Sequence, residues 1–314
     1  MKTTKEAVIK ATSDLADIAI QKMIQATGNM VAPMWFQIAG VVVNFVFDPI
    51  LIFGIGIFPA MGIRGAAVAT VAGYLLSMIL AFALLLGKKQ KVQVKIKGFH
   101  LQKQMIRRIF AFGLPSFIMN ALSSFVVTFV NLFLVAYSDT AIAFFGAYFK
   151  VQQLIVMTVN GLIQGCLPVM RFNYGAGNSE RLHSAFRYGT VLVTGMMILG
   201  TLAVLLFPAQ ILGLFMASEA MRSFGISAMR IMAASYLFCG LSTMVSTYFQ
   251  ATEKVGSSMA IQLCRQILFL VPALWCLDKL FHLNGIWLAF PVAETATLLV
   301  ALVMMAWHRR KNIS

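Results

Sequence analysis

The sequence predicts an all-α integral membrane protein with about eight transmembrane helices, and three observations lead there. First, 60% of its 314 residues are hydrophobic and only 11% are charged, with a mean hydropathy of +0.85. A soluble domain has about 45–50% apolar and about 25% charged residues. Second, the apolar residues fall in runs of the roughly 20 residues that a bilayer-crossing helix needs. Third, the net charge of +15 is carried by lysines and arginines lying between those runs. Together these exclude a soluble enzyme, a disordered tail and a nucleic-acid-binding domain. The charge reads instead as an orientation signal with attraction to anionic lipid. The ten-residue alternation of a membrane β-barrel is absent.

Taken in order, the predicted spans are residues 31–58, 62–86, 109–137, 141–169, 188–207, 226–249, 258–281 and 284–307, here named A to H. Their many glycines and alanines suit helices packed on lipid and on one another, and Gly161 and Gly165 place a GxxxG in span D. Five parts follow: a polar cytoplasmic segment at 1–24, two spans at 25–86, a basic loop at 87–108, six spans at 109–308 and a basic tail at 309–314. The polar start, with Lys2, Asp14 and Asp17 among its charges, forms at best an amphipathic helix on the cytoplasmic surface. The B–C loop holds Lys88, Lys89, Lys91, Lys95, Lys97, Lys103, Arg107 and Arg108, and the D–E loop holds Arg171, Arg181 and Arg187. The opposite side holds few, Arg64, Arg222 and Lys279, so both termini are expected in the cytoplasm.

An internal repeat is present. QATGNMVAPMWFQ at 25–37 and QATEKVGSSMAIQ at 250–262 agree at five positions, at an offset of 225. Each copy leads into a span interrupted by proline (Pro49, Pro272), then a short loop and a glycine opening the next helix (Gly65, Gly285). Six spans separate the copies, so both start on the same side, the parallel type of repeat found in secondary transporters. Within its own half, four spans, C to F from near Gly113, lead up to the second copy, and only the polar segment leads up to the first. Equivalent halves would then require about 113 more residues ahead of this start, and the chain reads as truncated.

Ionisable residues inside spans cost about 2.5–3.5 kcal/mol each on insertion scales, so each is a functional candidate. Asp48 stands directly before Pro49, with Asn44 four residues earlier on the same face. Pro49 donates no backbone hydrogen bond and is expected to open the helix near residue 45, freeing a carbonyl. A carboxylate, an amide oxygen and a loosened carbonyl suit Na⁺ or a proton, with the Thr70 hydroxyl as a fourth group. Asp48 could alternatively serve packing alone. Glu294, three residues after Pro291, reads as a second proton or substrate site, or as a structural partner of Arg265. Lys150 can snorkel, and Asp139, Asp278 and the four histidines lie at span ends or in loops. Cys166, Cys239, Cys264 and Cys276 form no CxxC pair. Neither a GxxxxGK[ST] loop nor HExxH or GxSxG is present. No enzyme chemistry, cofactor or nucleotide-driven pumping is expected, and no metal beyond Na⁺ at Asn44 and Asp48.

Four stretches then carry a resemblance: NFVFDPILIFG (44–54), GIRGAAVAT (62–70), GLP (113–115) and LPVMRFNYGAGNSERLHSAFRYG (167–189). Over roughly residues 25–308 the chain resembles the multidrug and toxic compound extrusion (MATE) family. The glycines of FNYGAGN are expected to end span D in left-handed conformations, and Asn178 or Ser179 to cap the next helix. The resemblance implies twelve spans in two six-helix lobes and, for the parent protein, export of drugs and organic cations in exchange for Na⁺ or H⁺ by alternating access. Spans A and B would be the last two helices of the N-lobe, and C to H a complete C-lobe. Asn44, Asp48 and Thr70 match the family's N-lobe cation site, which also draws an Asp from a first helix without a counterpart here. Between Gly113 and Tyr137 only Asn120, Ser123 and Ser124 stand where some members have an acid. The resemblance further implies a multi-pass protein of the bacterial plasma membrane whose partners are the lipid bilayer and cationic or amphipathic small molecules. Oligomeric state is left open. The alternatives are a lipid-linked oligosaccharide flippase, disfavoured because only Lys150, Arg230 and Arg265 could line a cationic cavity, and a non-transporting remnant or assembly partner.

Overall fold

The computed structural model describes residues 17–25, 29, 31–56, 58–87 and 102–311, and among these every element is a helix. In chain order they are α1 (17–25), α2 (Val31–Phe53), α3 (Ile63–Leu85), α4 (Lys103–Val135), α5 (Asp139–Gly175), α6 (Ser179–Leu206), α7 (Pro208–Leu214), α8 (Glu219–Ala233), α9 (Ser235–Ala251), α10 (Val255–Leu263), a π-helical turn (Cys264–Phe269), α11 (Leu270–Phe281) and α12 (Leu283–Lys311). Spans A to H correspond in order to α2, α3, α4, α5, α6, α8 with α9, α10 through α11, and α12. Among the described residues seven of these spans are long and apolar enough to cross a membrane. The eighth, α4, is one continuous 33-residue helix whose apolar part includes Ser124–Val135. The residues at 1–16, 88–101 and 312–314 lie outside the described ones, as do the side chains of Asn120 and Ser123.

Several basic residues expected in loops stand on helices instead. The helix of span C begins at Lys103 and takes in Arg107, so the expected 87–108 loop is shortened. That of span D runs on through Arg171 to Gly175, and that of span E starts at Ser179, ahead of Arg181 and Arg187. Lysine and arginine are good helix formers, so nothing stops the helix where the apolar run stops. What stops α5 is Gly177, at φ 69°, and Asn178 then caps α6 by accepting from the Arg181 N–H at 3.0 Å. Gly175 itself remains helical. At the other end of α5, Ser138 accepts from the Ala141 N–H at 3.1 Å, and Tyr137 donates to Asp278 at 2.5 Å.

The chain divides into two compact units, Met1–Leu101 and Gln102–Ser314. In the first, α2 and α3 pack as a pair whose crossing is at Gly40 and Gly73. A Cβ on Gly73 would stand 2.5 Å from the Gly40 carbonyl oxygen, and one on Gly40 would stand 2.8 Å from that of Gly73. Only two glycines allow backbones so close, the small-residue device of membrane helix pairs. Helix α1 covers the far end of this pair, burying Ile20 and Ile24 against Ala81 and Leu85. The opposite faces are apolar and exposed, Phe45 at 78% for example, as suits contact with lipid tails.

The second unit has one continuous core. Trp287 and Phe144 are fully buried and meet edge to face at 5.1 Å, with Phe224 at 5.4 Å from Phe144 and Tyr148 stacked alongside. The repeat's two glycines occupy comparable places, each packed on the backbone of the preceding helix: Gly65 on Leu51 and Gly285 on Leu277. The GxxxG of span D does not pack in this way. Nothing among the described residues lies within 4 Å of a Cβ on Gly161 or Gly165, and both glycines are exposed.

A side chain at the α2–α3 crossing should therefore be costly. We expect Gly73→Val to destabilise the chain by about 1–3 kcal/mol through overpacking, read as a lowered Tm in detergent, while Gly165→Ala leaves Tm unchanged. Equal melting of the two variants would contradict the close contact.

Candidate functional site

Within the α2–α3 pair the three residues expected to bind a cation come together. Thr70 on α3 faces Asn44 on α2, and its hydroxyl donates to the Ala66 carbonyl at 2.8 Å. Two orientations of the Asn44 carboxamide are open. In one, Nδ2 donates to Asp48 Oδ2 at 3.2 Å and Oδ1 accepts from the Thr70 N–H at 3.1 Å. In the other, Nδ2 donates to Thr70 Oγ1 at 3.2 Å and Oδ1 is left facing the carboxylate. The first is preferred, since the second sets acceptor against acceptor.

Asp48 carries the unanswered atom of this trio. Its Oδ1 is buried and, among the described residues, no hydrogen-bond donor reaches it. An unanswered carboxylate oxygen away from water is costly, and its lone pairs are those a proton or a small cation would take. The expected opening of the helix at Pro49 is not seen, for α2 runs unbroken from Val31 to Phe53. Proline lacks the N–H that would bond the carbonyl four residues back, so the Phe45 carbonyl loses that donor without a break in the helix.

A second polar cluster on the same pair was not foreseen. Asp17 of α1 is buried and accepts from Gln21 Nε2 at 2.8 Å and from Ser77 Oγ at 3.1 Å. Gln21 also reaches Ser77 Oγ at 3.2 Å, and its Oε1 accepts from Gln37 Nε2 at 2.7 Å. The signal was present: Gln37 and Asn44 are seven residues apart on α2, Thr70 and Ser77 seven apart on α3, so each helix carries two polar residues on one stripe. The segment 1–24 is expected to form at best an amphipathic cytoplasmic helix, but the polar residues Asp17 and Gln21 of α1 point inward at Ser77 of α3.

In the second unit, Glu294 of α12 lies 3.3 Å from Arg265 Nε, with both side chains largely buried. The pair is imperfectly aligned, for Arg265 Nε and Glu294 Oε2 make no hydrogen bond. Arg265 Nη2 instead donates to Ser242 Oγ at 2.6 Å and Thr243 Oγ1 at 3.1 Å. Arg265 also lines a cavity of about 1060 Å³ together with Asn160, Gln262 and Gln266. Among the described residues no group of His, Cys, Asp and Glu could hold a metal ion by clustering, and Lys150 is exposed on α5.

The MatE family model matches residues 115–275, more than half of the chain. The chain belongs to the MatE family. Among its relatives is the multidrug export protein MepA of Staphylococcus aureus strain N315, 27% identical over 286 residues. The MepA of Staphylococcus saprophyticus is 25% identical over 288. Each alignment covers 91% of this chain and 62% of the relative, so this MatE-family chain spans about three-fifths of their length. The solved MATE multidrug transporter DinF-BH superposes with a TM-score of 0.81 at 26% identity, over 93% of this chain and 65% of that one. A MATE structure in complex with MaL6 gives 0.84 at 21% identity, over 98% and 68%. These relatives are named as transporters and export proteins, not as enzymes, and the MATE architecture is the fold of this MatE-family chain.

For the Asp17 cluster, Asp17→Ala would strand the Ser77 and Gln21 donors, a loss of about 1–3 kcal/mol. Hydrogen–deuterium exchange across residues 17–25 should then quicken, and Ser77→Ala should quicken it less. Unchanged exchange in Asp17→Ala would show that the cluster does not anchor α1.

Proposed function

We propose that this chain is the ion-binding and C-lobe portion of a secondary antiporter that exports drugs or organic cations in exchange for Na⁺ or H⁺. The observation that carries this reading is the buried, unanswered Oδ1 of Asp48 beside Asn44 and Thr70. Names of the relatives support the transport half, since MepA is a multidrug export protein. Asp48 is the seat of the coupling ion. Its charge makes the site attractive to any small cation, and the surrounding apolar helices weaken the competition from water.

Ion arrival has a definite local consequence. Na⁺ held between Asp48 and Asn44 Oδ1, or a proton on Asp48 donated to that oxygen, favours the amide orientation that the carboxylate alone disfavours. The Thr70 N–H and hydroxyl then exchange partners with it, so the occupancy of the ion is registered across the α2–α3 seam. Alternating access would use such a change to bias two packings of the helices. Glu294, already opposite Arg265, is a secondary proton or substrate site in this scheme. The two spans at 25–86 belong to the N-lobe and 109–308 to the C-lobe. The bulk of the lysines and arginines faces the cytoplasm with both termini, in a bacterial plasma membrane.

In everted vesicles in which the intact parent protein expels ethidium, Asp48→Asn should reduce efflux to the background of empty vesicles with membrane insertion unaltered, and Thr70→Ser should retain most of it. Unchanged efflux with an unchanged pH dependence in Asp48→Asn would dispose of the assignment.

A further inference from the structure

The cavity in the second unit has a chemistry of its own. It is lined by two arginines, Arg171 and Arg265, against one carboxylate, Glu253. Glu294, which balances Arg265, is not among its lining residues and approaches the guanidinium at Nε. What a ligand would meet is therefore the arginine and not its counter-charge. Five carboxamides line the cavity with it, Asn160, Gln262 and Gln266 among them, and these offer N–H donors in addition to the guanidinium. Val156, Val159 and Met197 supply apolar wall.

Local structure explains why these groups share one face. Gln262, Arg265 and Gln266 are spaced i, i+3, i+4, the positions that align on a helix. Arg265 and Gln266 lie in the π-helical turn Cys264–Phe269, where the widened turn shifts the register between α10 and α11, a feature frequent at functional sites. Arg265 uses Nη2 on Ser242 and Thr243, and no described protein group bonds its Nη1. A guanidinium bonds carboxylate, sulfonate or phosphate oxygens through charge-assisted N–H groups, and Nη1 of one held by Ser242, Thr243 and Glu294 needs little reordering to do so.

We infer that this cavity is a binding site for the anionic or strongly hydrogen-bond-accepting head of an amphipathic molecule, seated on Arg265 and the Gln262–Gln266 amides, with Glu294 as the internal counter-charge that moderates its affinity. The volume of about 1060 Å³ is at the upper end for a drug-sized ligand. The inference is independent of ion coupling at Asp48 and requires no transport. The head could be that of a free amphipathic anion or of an anionic lipid.

The test uses the purified chain in a neutral maltoside detergent and a matched probe pair, radiolabelled naphthalene-1-sulfonate and trimethyl(1-naphthyl)ammonium, read by scintillation proximity. The sulfonate should bind saturably and the ammonium at least tenfold more weakly. Arg265→Gln should weaken the sulfonate about tenfold, whereas Glu294→Gln, which frees the arginine from its partner, should tighten it about tenfold. Opposite signs separate this role from a structural one, which would lower affinity in both. Should either variant fail to fold, Gln262→Leu leaves the ion pair intact and should weaken the sulfonate several-fold. Displacement of the sulfonate by phosphatidylglycerol but not phosphatidylcholine assigns the site to a lipid headgroup, and indifference to both assigns it to a free anion. The proposal is overturned if the sulfonate does not bind saturably, if the ammonium binds as tightly, if affinity falls in both Arg265→Gln and Glu294→Gln, or if it is unaltered by Gln262→Leu.

Discussion

In the hydrocarbon of a membrane there is no water to answer a polar group, so every charge inside must find its partner within the protein. That constraint organises both units. Asp17 meets it with the Gln21 and Ser77 donors. Arg265 and Glu294 meet it by facing each other at 3.3 Å, with two hydroxyls accepting from Arg265 Nη2. Asp48 meets it on one oxygen only, and the difference between these three sites is the difference between an anchor, a tuned pair and a receptive site.

The backbone contact between Gly40 and Gly73 places two of the three. It fixes the register of α2 against α3, so that Asn44 meets Thr70 on one side of the crossing and Gln37 and Ser77 approach α1 on the other. Residues seven apart on a helix are separated by about 10 Å along its axis. The two clusters are thus neighbours on one seam, with tight backbone packing between them. One is saturated with donors and the other is short of them, which makes the Asp48 end the part free to change partners.

Much of this was legible in the residues, and the limits have physical reasons. Spans A to H could be read because apolar length is a local property that the bilayer enforces. Asn44 and Asp48 could be paired because four residues make one helical turn. Asp17 could not, because its partner Ser77 stands 60 residues away and the apolar residues of α1 supply no sign of which face turns inward. Helix ends were misplaced where arginine and lysine follow an apolar run, since these side chains continue a helix as readily as they end a span. The GxxxG at Gly161 and Gly165 was read as a packing motif, but spacing alone does not say whether a neighbour is present. Arg265 and Glu294 were recognised as candidates for one another, whereas the cavity that Arg265 lines depends on four helices meeting.

The central claim is that Asp48 holds the coupling ion, and infrared difference spectroscopy of the purified chain tests it directly. Raising Na⁺ at fixed pH, or lowering pH without Na⁺, should produce a carboxylate or carboxylic-acid band change that disappears in Asp48→Asn and persists in Glu294→Gln. The same difference spectrum in Asp48→Asn as in the unaltered chain would contradict the account.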